Sequence, residues 1–495
     1  MSDDRPILVI DEGTTSTRAM LFAPDGRVRA VEQRAIRQSY PQPGWVEQDG
    51  EEIWQATLAC ARVMVNAAGG PTRIAAIGIT NQRETVLFWD RVTGAPLAPA
   101  IVWQDRRTAD ACTALRDAGE ERRVQATTGL LLDPYFSASK IAWALEHWPQ
   151  LRAAGARLAV GTVESYLVHR LTGGAHVSDV SNASRTMALA LDGRDWDGGM
   201  LDLLGIDRRA LPQIVGSTPL GLATDPALFG AAIPIAGLAG DQQAALIGQG
   251  CFSAGQVKAT FGTGAFILAA TGRKRPASEH RLLATIAHEV AGERHYALEG
   301  SLFVAGSLIQ WLRDGLGLLK DSAESEALAR SVSDNGGVVV VPALAGLGAP
   351  HWDADARGAI HGLSFAATRA HVARASLEAM AHQVHDLMRA FAADGAAWSE
   401  LRVDGGMIAN DWLAQDLADV LEIEVERPAM VETTALGAAM LAGVGCGRFA
   451  SLEDAATAMR GASVRFHPKM ASEVRDARLT AWRDALERTL TRRGG

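Results

Sequence analysis

Asp11, Thr14, Thr15 and Ser16 surround Gly13 in the stretch ILVIDEGTTSTRAMLF, residues 7–22. Three hydroxyls beside the main-chain N–H groups of a glycine turn make an anion-binding concavity. Asp11 is acceptor-only when ionised, so it repels a phosphate directly and suits Mg²⁺ beside one, usually through water. An ordinary hairpin with a polar turn is the alternative reading of the same residues.

Three further polar clusters follow short apolar runs. Asn81-Gln82-Arg83-Glu84 ends the run 74–80, Gln104-Asp105-Arg106-Arg107 follows 101–103, and Gly240-Asp241-Gln242-Gln243 follows 233–236. Ligands of open α/β sheets sit at the carboxyl ends of strands, although a solvated loop explains any one cluster alone. Asp241, at a strand-to-helix turn, is either an N-cap or a general base facing a cleft.

The elements that position these residues are legible from periodicity and turn chemistry. Residues 7–10 read as a buried strand and 17–22 as a second. Pro24-Asp25-Gly26 is a turn, and 28–36 is a third strand, which points to a mixed sheet. Helices are expected over 51–68 and from 244. Residues 257–270, VKATFGTGAFILAA, repeat the strand, Gly-Thr turn, strand pattern, with Thr263 about 250 residues after Thr14. Either two related domains face one phosphate chain or a glycine-rich hairpin has recurred by chance. A helix over 300–312 would place Gly306 and Gln310 one turn apart. Residues 336–341 read as a strand. Residues 401–404 lead into Gly405-Gly406 and a helix over 408–421, whose glycines let a ligand approach its N-terminus. An amphipathic helix over 472–492 is expected to pack rather than to anchor in a membrane.

At 495 residues the chain is too long for one core, and two domains are expected. A net charge of -9 argues against a nucleic-acid surface. The four cysteines are widely spaced and form no CxxC, which fits a reducing cytoplasm. The N-terminal MSDDRP lacks a signal-peptide core, and no apolar run reaches the ~18–20 residues of a membrane span. No lysine follows a glycine, so there is no Walker A loop, and GxGxxG is absent. His288-Glu289 lacks the second His of HExxH, no GxSxG occurs, and His382 and His385 have no third ligand nearby in sequence.

With these residues in place, the chain resembles the glycerol kinase branch of the FGGY carbohydrate kinases over nearly its whole length. Two family signatures match, at residues 135–143 (YFSASKIAW) and 358–378 (GAIHGLSFAATRAHVARASLE). More specific are GITNQRET (78–85), WQDRRT (103–108), DPYFS (133–137), SNASRTM (181–187), GDQQAA (240–245) and RVDGG (402–406). Pentulose kinases of the family usually carry a Gln-Met-His type sequence where this chain has Gln82-Arg83-Glu84.

The resemblance implies an α/β fold of two ribonuclease-H-like domains, of the actin/hexokinase/Hsp70 superfold, with mixed sheets flanking an ATP cleft. Residues 1–249 would form the N-terminal domain, binding glycerol and phosphate. Residues 250–495 would form the C-terminal, nucleotide-binding one. It implies transfer of the γ-phosphoryl of ATP to a terminal hydroxyl of glycerol, giving sn-glycerol 3-phosphate and ADP. By motif, Arg83, Glu84, Tyr135, Asp241 and Gln242 fall at glycerol positions, with Trp103 and Phe266 as its apolar wall and Asp241 as the base. Thr14, Thr15, Ser16, Arg18, Thr263, Gly306, Gln310, Gly406 and Asn410 fall at nucleotide positions, and Asp11 at the Mg²⁺ position. A cytoplasmic homodimer or homotetramer is implied, without nucleic acid or membrane insertion. An FGGY kinase for another polyol or ketose would lack the Arg83–Glu84 pair, and a non-catalytic actin-like switch would not need Asp241.

Two departures from the pattern have consequences. Glu12 replaces the usual Gln. If Asp11 points into the cleft, strand alternation turns Glu12 away from it. Residues 224–232, TDPALFGAA, lack the basic glycine-rich loop by which some members bind a sugar bisphosphate.

Overall fold

The computed structural model describes residues 3–491. Its N-terminal sheet contains β1 (Ile7–Glu12), β2 (Ser16–Phe22), β3 (Val28–Ala35), β4 (Ile77–Asn81) and β5 (Ile235–Gly240), in the order β5-β4-β1-β2-β3. The first three strands are antiparallel neighbours, and β4 and β5 add in parallel beside β1. The sheet is therefore mixed, as the three N-terminal strands foretell.

The second large sheet contains β6 (Gln256–Phe261), β7 (Ala265–Gly272), β8 (Leu283–Val290), β9 (Glu293–Leu302), β10 (Glu400–Asp404), β11 (Val425–Pro428) and β12 (Ser463–Phe466), in the order β8-β9-β7-β6-β10-β11-β12. Its segment β9-β7-β6-β10-β11 repeats the order and directions of β3-β2-β1-β4-β5. The second glycine hairpin thus occupies the place of the first in a duplicated fold, and chance recurrence is set aside.

Alternation along β1 sends its side chains to two cores. Leu8 and Ile10 pack with the helix Gly50–Ala67 through Ile53 and Ala61, while Ile7 and Val9 pack with Ala438 and Leu441 of the helix Thr433–Gly445. A helix from the second half therefore covers one face of the first sheet. It crosses the helix Asp241–Gly248 at very short range. A Cβ on Gly248 would lie 1.9 Å from the Thr433 carbonyl oxygen, and one on Gly437 would lie 1.8 Å from that of Ala244. Only glycine permits this crossing.

Some expectations shift. The apolar run 101–103 contributes only the short strand Ala100–Ile101, and the strand expected over 336–341 is Val339–Val341. The helix expected over 300–312 begins at Gly306, because Gly300–Leu302 complete β9, paired with β7. The helix expected from 408 starts at Asp411, after a 3₁₀ turn Gly406–Ala409. The last helix is Ser472–Thr489, and Arg492 lies outside the described residues. No helix among the described residues is long and apolar enough to cross a membrane.

Candidate active site

Parallel pairing of β1, β4 and β5 aligns Asp11 with Thr80 and Asn81 with Gly240. The carboxyl ends of three strands therefore gather Asp11, the Arg83-Glu84 link and Asp241 at one edge. The antiparallel β1–β2 register sets Arg18 directly opposite Asp11. Its guanidinium binds Asp11 Oδ2 at 2.5 Å and Glu432 Oε2 at 2.6 Å, joining the two halves of the chain. Burial raises the Asp11 pKa, Arg18 opposes that, and Asp241 adds to it.

Arg83 and Glu84 occupy the link between β4 and a strand of a separate four-stranded sheet, Val86–Asp90. Glu84 has φ of 63°, a left-handed conformation uncommon for a non-glycine residue and concentrated at functional sites. Arg83 Nη1 binds Glu299 Oε2 at 2.6 Å, and its Nε lies 3.1 Å from Asp241 Oδ1. Arg185 binds Glu84 at 2.7 Å and Glu299 at 3.0 Å. Burial works against the Glu299 carboxylate, but Arg185 and Arg83 hold its pKa down to about 2. Burial raises that of Glu84 despite the same two arginines. Within this otherwise buried cluster, Asp241 has 33 % of its side chain exposed. It is the carboxylate with access to a ligand.

Asp241 is not an N-cap. The helix Asp241–Gly248 starts with it, Gly240 holds the cap position, and no side chain caps the helix. Asp241 Oδ1 instead accepts from the N–H of Gln242 at 2.7 Å. Trp103 donates from Nε1 to Thr14 Oγ1 at 2.9 Å and meets Tyr135 edge-on at 5.7 Å. The first turn, Trp103 and Tyr135 therefore form one wall. Phe266 sits on β7, opposite Thr260 and Ser301, half-buried. No ring contact joins it to Trp103 or Tyr135 among the described residues.

On the second half, Thr263, Gly306, Gln310, Gly406 and Asn410 line one cavity of about 470 Å³ with Phe261 and Met407. A Cβ on Gly306 would lie 2.6 Å from the Gly262 carbonyl oxygen, so glycine lets the helix Gly306–Asp314 start against the β6–β7 turn. Asn410 uses Oδ1 to cap the next helix, accepting from Leu413 N at 3.0 Å. Thr15 and Ser16 stay with the β1–β2 turn. Ser16 Oγ accepts from Gln33, and the Ser16 carbonyl closes the turn on Gly13 N.

Glu12 turns away from this cleft, as alternation requires. It is fully buried on the Gly50–Ala67 side, where it accepts from Thr17 Oγ1 and, at 3.2 Å, from Thr57 Oγ1. Among the described residues no cation pairs with it and its Oε1 has no partner, and burial pushes its pKa up to about 8. A neutral carboxyl in this place stands in for the usual amide.

The acidic donors suit a hard cation. Asp11 and Asp241 lie near enough to repel each other, and Mg²⁺ is ordinarily bound by one or two carboxylates, water and substrate phosphates. No group of three or more His, Cys, Asp or Glu side chains among the described residues could hold a metal ion unaided. The residues present fit Mg²⁺ only when it is shared with phosphates.

Sequence reasoning missed Arg185, Glu299, Lys258 and Glu432. Arg185 lies within a matched motif, and Lys258 and Glu299 are charges inside apolar strands. A charge seldom buries fully without a partner, and that signal marks both.

Two duplicated α/β domains, with polar strand ends facing a cleft, define a two-domain protein of the actin/hexokinase-like fold. Residues 6–248 match the FGGY family of carbohydrate kinases, N-terminal domain, and residues 257–446 match the C-terminal domain. The chain belongs to the FGGY family of carbohydrate kinases. It is 52% identical over 491 residues to a glycerol kinase of Rhodospirillum centenum, covering 98% of each chain. It is 51% identical over 495 residues to one of Gluconobacter oxydans, covering 99% of this chain and 96% of the relative. The crystal structure of Plasmodium falciparum glycerol kinase with ADP superposes with a TM-score of 0.93 at 34% identity, covering 99% of each chain. Xylulose kinase from Rhodospirillum rubrum gives 0.87 at 28% identity, covering 98% of this chain and 99% of that one.

Proposed function

We propose that this chain is an ATP-dependent glycerol kinase. It transfers the γ-phosphoryl group of ATP to a terminal hydroxyl of glycerol, giving sn-glycerol 3-phosphate and ADP, the entry step of glycerol catabolism. The observation that carries this reading is the convergence of Arg83, Glu84, Asp241 and Gln242 at the ends of two adjacent parallel strands, in a chain half identical to full-length glycerol kinases.

Asp241 takes the hydroxyl proton. As the substrate oxygen bonds to the γ-phosphorus, the bond to the bridging oxygen breaks and ADP leaves with that electron pair. Arg83 can only donate, and an ionised carboxylate can only accept, so the pocket reads hydroxyl polarity. Trp103, Tyr135 and Phe266 cover the carbon skeleton. ATP places its nucleoside in the cavity lined by Thr263, Gly306, Gln310, Gly406 and Asn410, and its phosphates between the two glycine turns, near Thr14, Thr15, Ser16 and Arg18. Asp11 would hold Mg²⁺, which would supply charge neutralisation on the phosphates. Phosphoryl transfer is mostly positioning and electrostatics, and closure of the cleft excludes water.

The domains run over 1–249 and 250–495, and the enzyme works in the cytoplasm as a homodimer or homotetramer. These points rest on family likeness. A panel of polyols and ketoses with ATP and Mg²⁺, read by ADP release, tests the reading. Glycerol must be the best substrate, and turnover of a pentulose in its place would assign a different FGGY activity.

A further inference from the structure

Lys258 is one of five lysines in the chain and is fully buried. It lies on β6 between Leu268 of β7 and Arg402 of β10. Its ammonium donates to Gln242 Oε1, to Thr260 Oγ1 at 3.1 Å and to the Phe266 carbonyl at 3.4 Å. Asp404 of β10, Asp241 and Glu299 of β9 surround it with negative charge, and Arg83 opposes them. An ammonium is expensive to bury, and here it reaches from the second half of the chain to a side chain beside Asp241.

We propose that Lys258 is a positioning residue that fixes the polarity of Gln242, claiming its amide oxygen so that the amide NH₂ donates to a substrate hydroxyl. An ammonium has three donors and no acceptor, so the group facing it must be the oxygen. The usual ambiguity between amide oxygen and nitrogen is thereby removed. The Gln242 backbone N–H is already given to Asp241 Oδ1. Among the described residues no protein acceptor takes the Gln242 Nε2 hydrogens. Adjacent side chains then present opposite polarities to the polyol, Asp241 accepting from one hydroxyl and Gln242 donating to another. A substrate lacking the second hydroxyl leaves a donor unpaired, which is how polar sites reject close analogues. This inference rests on the glycerol kinase reading above and adds the residue that makes Gln242 selective.

The test uses full-length wild type, Lys258→Met, Gln242→Leu, Gln242→Glu and the Lys258→Met/Gln242→Leu double variant, with kcat and KM measured for glycerol and for ATP. Lys258→Met should raise the glycerol KM by roughly tenfold, the loss of one buried hydrogen bond, and leave the ATP KM within about twofold. The double variant should be no worse than Gln242→Leu within about twofold, because Lys258 acts through Gln242. Gln242→Glu pairs with the same ammonium but can only accept, and should be as impaired as Gln242→Leu. Equal losses for both substrates, full additivity in the double variant, or a Gln242→Glu enzyme with a near-wild-type glycerol KM would overturn the assignment. If Lys258→Met does not fold, the two Gln242 variants decide the donor polarity. A wild type that phosphorylates no polyol overturns the kinase reading itself, whereas an active wild type with an unchanged glycerol KM in Lys258→Met overturns only the role of Lys258.

Discussion

Arg83 Nε lies 3.1 Å from Asp241 Oδ1, brought there by the β4–β5 pairing that aligns Asn81 with Gly240. The guanidinium aims the carboxylate while leaving part of it exposed. Asp241→Asn keeps size and shape but removes the proton acceptor. Loss of a general base costs ~10²–10⁴ in rate, so kcat should fall by that range with little change in the melting temperature. An Asn variant that folds normally and turns over near the wild-type rate would leave Asp241 without a catalytic role.

Arg83 also binds Glu299, a carboxylate from the second half. Arg83→Ala leaves that carboxylate with Arg185 alone and removes a donor from the proposed glycerol pocket. Breaking a buried pair by deleting one partner costs ~3–5 kcal/mol. The variant should therefore lose stability and glycerol affinity together while ATP affinity, read by nucleotide titration of folded protein, stays nearly unchanged. Equal loss of both affinities would remove Arg83 from the glycerol pocket.

Burial pushes the folded pKa of Glu12 up to about 8, from the ordinary glutamate value of 4.5. Between those values the folded state binds more protons than the unfolded, so this group's contribution to stability falls as pH rises. Glu12→Gln removes the titration. Its melting temperature should exceed that of the wild type by a margin that grows from pH 5 to pH 8, with turnover within roughly tenfold, ~1.4 kcal/mol. A margin independent of pH would show that Glu12 is ionised throughout.

Gly437 lets the helix Thr433–Gly445 cross the helix Asp241–Gly248, because a Cβ there would meet the Ala244 carbonyl oxygen at 1.8 Å. Overpacking of a tight contact costs ~1–3 kcal/mol. Gly437→Val should lower the melting temperature by at least a few degrees and reduce kcat, since Asp241 opens the displaced helix. Wild-type values for both would mean that the crossing relaxes freely.

Much of this could be read along the chain. The glycine hairpins 11–16 and 261–265 and the strands ending in Arg83-Glu84 and Asp241 carry local signals of turn chemistry and apolar alternation, whereas the five residues of the second-half cavity are picked out as a set by the family motifs. What escaped depends on distant partners. Gly300–Leu302 continue a strand because β7 pairs with them, and a short small-residue segment does not distinguish that from a helix start. Glu432 meets Arg18 across most of the chain, and Glu299 and Arg185 meet Arg83 and Glu84 only once both halves are folded. Such ion pairs leave no periodicity. Where the helix starts also depends on the folded chain, and it removes only the cap reading of Asp241.

The most direct measurement is ADP release by the purified full-length protein with ATP and Mg²⁺, with and without glycerol. Glycerol should raise ADP release far above the background hydrolysis and yield one sn-glycerol 3-phosphate per ADP, and Asp241→Asn should abolish most of the increase. ADP release that is indifferent to glycerol, or driven better by another polyol or ketose, would contradict the glycerol kinase reading.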